Sequence, residues 1–231
     1  NPPHLEAMFV NQGAANGREA TFRHNGAFEL RWLCWALTLG GGFAKRALND
    51  NDIQQALANV DVREVLENGP IHPGQSPLKH IPTYEDWTFD IMTSGHAEDD
   101  LWQSPGINFE LYYDESADVP TVYSGAWYDS YTKATCDNFK KLSKRKDSDH
   151  FLLMGPWTHG WNEYPLPSWN KSYSGELEFG EEALMDYQRT RLEFFDHYLK
   201  GKDTWASQPT VQYFRMGEGD GHRTRGDRLF H

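Results

Sequence analysis

The chain has 231 residues and a formal net charge of −12, with 34 Asp and Glu against 22 Lys and Arg. This acidic balance argues against a phosphate backbone as partner, and no apolar run approaches the roughly 20 residues that span a bilayer, so we expect neither nucleic acid nor a membrane as partner. Cys34 and Cys136 are the only two cysteines, which excludes a disulfide-stapled fold and a cysteine-rich zinc module.

The N-terminal part of the chain combines one short strand pattern with two helical patterns. Residues 5–10 are apolar enough for a buried strand, and the apolar run 28–39 predicts a helix that ends at the glycines 40–42. Apolar residues recur at near-helical spacing through 50–67, which predicts a second helical stretch. We therefore expect one core strand followed by helices.

Prolines limit helix length in the next part of the chain. Five of them fall within residues 70–115, a stretch that is also rich in aromatic residues. Together with the helices before it, this stretch predicts an all-helical insertion at 14–115. Residues 1–13 then belong to the core that the insertion interrupts.

From residue 116 the pattern changes to strand, helix, strand. The predicted strands are 120–125 and 151–155, and the helix between them covers about 131–144. Strands that alternate with single helices pair in parallel through a crossover connection. The predicted fold class is therefore α/β, with its core in 116–208.

The C-terminal part holds one more helix and one more strand. Residues 181–200 predict an amphipathic helix whose apolar face carries Leu184, Tyr187, Leu192, Phe195 and Leu199. Residues 209–216 then resemble a strand, and we expect 209–231 to begin a further, β-rich domain. Strand patterns near both ends would leave unpaired edges, so we expect this sequence to be part of a longer chain.

Two titratable residues follow successive predicted strands. Asp129 comes shortly after the first strand and His159 after the second. Because the carboxyl ends of parallel strands meet at one crevice, the two side chains can lie together although they are distant in sequence. An ionised Asp in such a place can hold an imidazole in one tautomer and stabilise the imidazolium. The chain order, acid before histidine, fits the α/β-hydrolase arrangement.

Each of the two residues also has an ordinary structural explanation. An Asp after a strand commonly forms a turn or caps the next helix, which here begins near Ser130. A His in a tryptophan-rich loop is commonly a satisfied polar group. The pattern alone leaves the catalytic and the structural interpretation of both residues open.

Two short motifs carry a resemblance to a known family. Gly125-Ala-Trp-Tyr-Asp129 and Gly155-Pro-Trp-Thr-His159 resemble the signature turns of the Xaa-Pro dipeptidyl-peptidase and cocaine-esterase family of serine hydrolases, the peptidase S15 type. The resemblance extends along almost the whole chain, and the other similar stretches are Pro3-His-Leu-Glu-Ala7, Gly26-Ala-Phe28, His96-Ala-Glu-Asp-Asp-Leu-Trp102 and Phe194-Phe-Asp-His-Tyr-Leu-Lys-Gly201.

The resemblance implies a fold and a pair of catalytic residues. The fold would be an α/β-hydrolase core with an inserted helical cap and the beginning of a C-terminal β-rich, jelly-roll-like domain. Asp129 would be the triad acid and His159 the general base. The reaction would be acyl transfer to water from a small ester or a short peptide, without a metal or a cofactor.

The resemblance also implies a set of aromatic residues around the substrate. Trp35, in the first helix of the cap, would lie near the acyl pocket. Trp127, Tyr128 and Trp157 would line the crevice or pack behind the triad as ordinary core aromatics.

The nucleophile that the resemblance requires is missing from this sequence. The family carries it in a Gly-x-Ser-x-x-Gly elbow before the strand that resembles Pro3–Ala7, and the chain has no such elbow. Gly74-Gln-Ser-Pro-Leu78 lacks the later glycine and a preceding strand, so we reject Ser76 as the nucleophile. We expect the serine to lie outside these residues. The segment alone should then be inactive, because loss of a triad member costs on the order of 10⁴ to 10⁶ in turnover.

Other possible sites are weaker. His96 with Glu98, Asp99 and Asp100 is the densest group of metal-ligand types, and an acidic surface loop explains it better than a metal. The basic run 140–146 falls at a helix end, where cations complement the helix dipole. His150 precedes a predicted strand and is expected to be exposed to solvent.

We therefore consider three functions. The first is a serine hydrolase whose Ser lies outside this segment. The second is a non-catalytic, hydrolase-like module that binds a ligand through its aromatic crevice, since nine tryptophans supply stacking surface. A carbohydrate-binding domain ranks last, because it does not fit the strand-helix-strand order. The sequence leaves the acyl group, the oligomeric state, homo-oligomers included, and the compartment open.

Overall fold

The computed structural model describes residues 2–40, 43, 49–160 and 172–217. The chain divides into two units. The first, which we call the sheet unit, comprises Asn1–Thr21 and Pro105–His231, and the second, the helical unit, is Phe22–Ser104. The helical unit falls within the predicted insertion at 14–115. The prediction that this insertion is all-helical is wrong, because Arg23–His24 and Ala27–Phe28 form a two-stranded antiparallel sheet. The exact domain boundaries stay a prediction.

The secondary structure is numbered here in chain order. The strands are β1 Met8–Asn11, β2 Arg23–His24, β3 Ala27–Phe28, β4 Thr121–Tyr128, β5 His150–Thr158, β6 Tyr173–Ser174, β7 Leu177–Glu178 and β8 Val211–Tyr213. The α-helices are α1 Gly17–Ala20, α2 Leu30–Trp35, α3 Asn51–Ala58, α4 Val62–Glu67, α5 Pro82–Thr93, α6 Asp100–Gln103, α7 Thr132–Leu142 and α8 Tyr187–Lys200. Turns of 3-10 helix occupy Pro77–His80, Phe109–Tyr112 and Glu181–Ala183, and a π-helical turn occupies Ala36–Gly40.

A four-stranded parallel sheet forms the centre of the sheet unit. Its strand order is β1-β4-β5-β8, and all three neighbouring pairs are parallel. The helix α7 connects β4 to β5, so the predicted strand-helix-strand crossover is present. Residues 121–126 of β4 are all buried, as expected for a strand in the middle of a covered parallel sheet. The α/β fold class predicted from the sequence is confirmed.

Helices cover both faces of this sheet because side chains alternate along each strand. Val122 and Leu153 pack with Phe194 of α8 on one face. Tyr123 packs with Leu142 of α7 on the other face. The sheet unit thus has three layers, and the carboxyl ends of its strands are left for loops.

The helix predicted at 181–200 is shorter than expected, and its buried face differs. Asp186 accepts a hydrogen bond from the backbone N–H of Arg189 at 3.0 Å, so α8 begins only at Tyr187. Leu184 lies before the helix in extended backbone. The prediction of Leu192 and Leu199 on the apolar face is wrong, because they are 57% and 53% exposed. Tyr187, which was predicted on this face, is buried, and Phe195 packs partly buried against the core. Phe194, seven positions or two turns of helix after Tyr187, is fully buried and was not predicted.

The strand expected within 209–216 is β8, and its position was not foreseen. Val211 and Tyr213 pair with Leu152 and Met154 of β5, so β8 is the fourth strand of the core sheet. Residues 218–231, the rest of the segment predicted to begin a C-terminal domain, lie outside the described residues. The existence of that domain stays a prediction.

The helical unit has its own apolar core. Its buried members are Leu33, Ala36, Leu37, Leu57, Leu78 and Ile81. The helical stretch predicted at 50–67 is two helices, since Asp61 caps a new N-terminus by accepting from the N–H groups of Arg63 and Glu64. The helix predicted at 28–39 is α2 with the π-helical turn after it. The predicted stop at Gly41 and Gly42 lies outside the described residues.

Candidate active site

Asp129 and His159 follow directly after two register-paired residues. Tyr128 ends β4 and Thr158 ends β5, and these two residues are partners across the parallel pair. Each strand ends three residues later than predicted, so both titratable residues stand directly after the strand ends. Parallel pairing therefore brings them to the same edge of the sheet.

A β-bulge in β5 sets this register. Ala126 pairs with Gly155 and Tyr128 with Thr158, so β5 contains one residue more than β4 over this interval. Pro156 lies within the bulge, where its missing N–H costs no ladder hydrogen bond. A shift of one residue turns every following side chain to the opposite face of a strand. The extra residue thus decides on which side His159 emerges.

The side chains of Asp129 and His159 are in contact. Nδ1 of His159 lies 3.2 Å from Oδ1 and 3.3 Å from Oδ2 of Asp129. The carboxylate is fully buried, with 0% of the side chain exposed, whereas 51% of the imidazole side chain is exposed. A carboxylate only accepts hydrogen bonds, so the proton lies on Nδ1 of the neutral ring, and Nε2 carries the lone pair that can take up another proton.

Residues after Asp129 fix the turn and support the ring. The hydroxyl of Thr132 donates to the carbonyl oxygens of Ala126 at 2.5 Å and of Asp129 at 2.7 Å. The ring of Tyr131 lies against the imidazole of His159, with centroids 5.2 Å apart. Sequence analysis did not single out Tyr131. Its position two residues after the predicted acid Asp129 is the sequence feature that could have placed it beside His159.

The glycines of the two motifs are required by close packing. A Cβ on Gly125 would lie 2.7 Å from Sδ of Met154 and 2.9 Å from Cγ2 of Thr135 in α7. A Cβ on Gly155 would lie 2.3 Å from the ring of Trp157. These distances are shorter than carbon atoms tolerate, so both motifs need glycine for packing behind the strand ends.

Two of the four aromatic residues predicted around the substrate have anchoring contacts. The indole N–H of Trp157 donates to the carbonyl of Ala183 at 2.7 Å, and only 2% of this residue is exposed. The indole N–H of Trp127 donates to the carbonyl of Phe214 at 2.9 Å. Trp157 therefore fits the alternative of an ordinary core aromatic, because it offers a ligand almost no surface.

The other two aromatic residues are more accessible. Tyr128 is 38% exposed and lies directly before Asp129, with its ring 5.8 Å from that of Phe179. Trp35 belongs to the helical unit, where it is 36% exposed and lies in a group of rings with Trp32, Tyr84 and Trp87. The role of Trp35 in an acyl pocket stays a prediction.

The hydroxyl of Ser76 is buried and engaged in hydrogen bonds within the helical unit. Its hydroxyl donates to Oε1 of Glu85 at 2.6 Å and accepts from the N–H of Leu78 at 3.0 Å, and the residue is 2% exposed. Ser76 thus caps the 3-10 turn at Pro77–His80. This supports its rejection as a nucleophile.

The remaining candidate residues have the following surroundings. Among the described residues, no three His, Cys, Asp or Glu side chains form a group that could hold a metal, and no helix has the length and apolarity to cross a membrane. In the basic run, Lys146 Nζ donates to the carbonyls of Asp114 and Ser116 at 3.0 and 2.8 Å.

The expectation that His150 is exposed to solvent is wrong. The residue is 7% exposed, and its imidazole is hydrogen-bonded to the hydroxyl of Tyr123.

Comparison with known proteins points to one family. The sequence model of the family described as X-Pro dipeptidyl-peptidase (S15 family) matches residues 1–161, which include both motifs. Two proteins named "Putative serine esterase", from Mycobacterium bovis and Mycobacterium tuberculosis, are each 34% identical to the chain over 113 residues. The matched stretch covers 46% of this chain and only 15% of the length of each relative.

Proposed function

Because the chain belongs to the X-Pro dipeptidyl-peptidase (S15) family, we propose that the protein is a serine hydrolase that transfers an acyl group to water. The observation that carries this proposal is the contact between the buried carboxylate of Asp129 and the half-exposed imidazole of His159 at neighbouring strand ends. Family membership and this contact support the same pair of residues.

The two residues have different tasks in the proposed reaction. Nε2 of His159 takes the proton of a serine hydroxyl supplied from outside these residues, and the serine oxygen forms a bond to the substrate carbonyl carbon. The imidazolium then gives that proton to the leaving group as the bond to the carbonyl carbon breaks. Water repeats both steps on the acyl-enzyme. Asp129 keeps the ring in the Nδ1–H tautomer and stabilises its positive charge.

The burial of Asp129 favours this division of tasks. A charge–charge interaction is stronger where water is excluded, so a carboxylate without solvent contact stabilises the imidazolium more than an exposed one would. The exposed half of the His159 side chain leaves room for a serine hydroxyl and a substrate.

The proposed substrate is a small ester or a short peptide. The names of the two mycobacterial relatives favour an ester as substrate. The family name favours a peptide from which an X-Pro dipeptide is released by cleavage after the proline. Tyr128 is the aromatic residue whose exposure best suits contact with the substrate. The alternative, a ligand-binding module without catalysis, predicts a residue other than serine at the position of the nucleophile.

Labelling with a fluorophosphonate serine probe tests the proposal in the full-length protein. We expect His159→Ala to abolish labelling and Asp129→Asn to lower it and to reduce turnover by about 10⁴, because the Asn amide favours the wrong tautomer. His96→Ala, which removes an exposed histidine from a loop of the helical unit, is the matched control and should label normally. Undiminished labelling of His159→Ala would remove His159 from the mechanism. We expect the 231-residue chain alone to remain unlabelled.

A further inference from the structure

Gln12 occupies an unusual position at the end of β1. Its backbone has a φ of 48°, the left-handed region that is uncommon for residues other than glycine, asparagine and aspartate. Its N–H still donates to the carbonyl of Ser124 at 2.7 Å, which extends the pairing of β1 with β4. The residue is 5% exposed. A long polar side chain is therefore buried at the same sheet edge as Asp129 and His159.

The side-chain amide of Gln12 binds the backbone on both sides of His159. Its Nε2 donates to the carbonyl of Thr158 at 3.1 Å, and its Oε1 accepts from the N–H of Gly160 at 2.6 Å. We call these two hydrogen bonds the Gln12 bridge. The bridge passes from β1 to β5 across the end of β4, the strand that carries Asp129.

The chemistry of the bridge is specific to a primary amide. One group must offer a donor to a carbonyl and an acceptor to an N–H, and the primary amide of Gln carries both at one end of the side chain. An apolar substitute would leave a buried backbone donor and acceptor without partners, which is costly. Backbone strain at a site of this kind persists where the surrounding contacts enforce it.

We propose that Gln12 is a positioning residue that holds His159 in its working geometry. By fixing the residues before and after His159, the bridge keeps Nδ1 against Asp129 and Nε2 toward the substrate side. This inference rests on the proposed function for its catalytic meaning, while the effect on the Nδ1–H proton can be measured independently of activity.

Two variants distinguish the effect of losing the Gln12 bridge from the effect of the left-handed backbone at residue 12. Gln12→Met keeps the length of the side chain and removes both hydrogen bonds. Gln12→Asn keeps the amide but is one methylene too short to reach both partners, and Asn tolerates the left-handed backbone better than Gln does. Gln55→Met, at an exposed position of α3, is the matched control.

Three quantities are measured on the full-length protein. They are the rate of p-nitrophenyl acetate hydrolysis, the Tm of thermal unfolding, and the downfield proton NMR signal of Nδ1–H of His159. We expect both variants at Gln12 to lower kcat by about 10- to 100-fold with KM changed less than about two-fold, because a small misplacement of a reacting group costs up to that factor. The Nδ1–H signal should broaden or vanish through faster exchange with water. Gln12→Asn should do this with a smaller loss of Tm than Gln12→Met, because it keeps an amide and relieves the left-handed backbone.

A kcat within two-fold of the unsubstituted protein in folded Gln12→Asn, together with an unchanged Nδ1–H signal, would overturn the proposal. If Gln12→Met does not fold, Gln12→Asn alone decides the question. If the unsubstituted protein lacks esterase and peptidase activity, the proposed function fails, and the Nδ1–H signal still tests whether Gln12 positions His159.

Discussion

His150 and His159 lie at opposite ends of the same strand and have opposite surroundings. His159 is half exposed, whereas His150 is buried and its Nδ1 lies 3.0 Å from the hydroxyl of Tyr123, with the two rings stacked at 11°. The sequence presents both as titratable residues at a strand boundary. The difference arises from cross-strand pairing, which brings Tyr123 beside His150, and a single sequence does not reveal such a pairing.

The burial of His150 predicts a pH dependence of stability. Burial lowers the pKa of this imidazole from its usual value of 6.5, and among the described residues its Nε2 has no hydrogen-bond partner. The unfolded chain therefore binds a proton more readily than the folded one, so stability is fully present above about pH 6.5 and declines as the pH falls below that value. We expect His150→Phe to lose less free energy of unfolding between pH 7 and pH 5 than the unsubstituted protein, measured by urea denaturation. An equal loss in both proteins would contradict this.

Strands β4 and β5 and the helix between them were predictable, whereas the bulge and the buried face of α8 were not. Apolar runs and glycine-marked turns identify the strands, and the motifs identify Asp129 and His159. The bulge at Pro156 interrupts the alternation that tells core from surface, so alternation alone did not decide between the two predicted positions of Trp157, the crevice or the core behind the triad. On α8, Tyr187 is buried as predicted, whereas Leu192 and Leu199 are exposed and Phe194 is buried in their place.

Gly155→Ala tests how far the bulge depends on glycine. We expect this change to destabilise the protein by about 1–3 kcal/mol, because the added methyl group would overlap the ring of Trp157. Serine-probe labelling of the full-length protein should also fall, since the ring and the strand end that carries His159 must move. Gly95→Ala is the control, because its nearest contact would be an ordinary 3.8 Å. Equal unfolding midpoints for the two variants would argue against the packing explanation.

At the scale of the whole molecule, the sequence predicted two kinds of architecture, and the structure also has two units, with bounds that differ from the predicted ones. Helical periodicity identified the helical unit, and alternating strands and helices identified the sheet unit. Long-range pairing was beyond such patterns: β1 lies next to β4 although the helical unit intervenes in the chain, and β8 joins β5. Local signals determine elements, whereas the order of strands depends on contacts between distant segments.

The separate core of the helical unit predicts that Phe22–Ser104 folds when expressed alone. We expect a helical circular dichroism spectrum and one cooperative thermal transition. Leu37→Ala should lower the free energy of unfolding by about 2–5 kcal/mol, because this side chain is fully buried. Leu39→Ala, at a 53% exposed position of the same π-helical turn, should change it by less than about 0.5 kcal/mol. The absence of a cooperative transition would show that the unit needs the rest of the chain.

The strand order of the sheet also bears on how this protein can diversify. Gln12, Asp129 and His159 leave the sheet from three adjacent strands, and backbone hydrogen bonds between those strands set their spacing. Among the described residues, Phe22–Ser104 contributes no strand to this sheet. Exposed positions of that segment can therefore be substituted without altering the backbone pairing that spaces the ionisable pair.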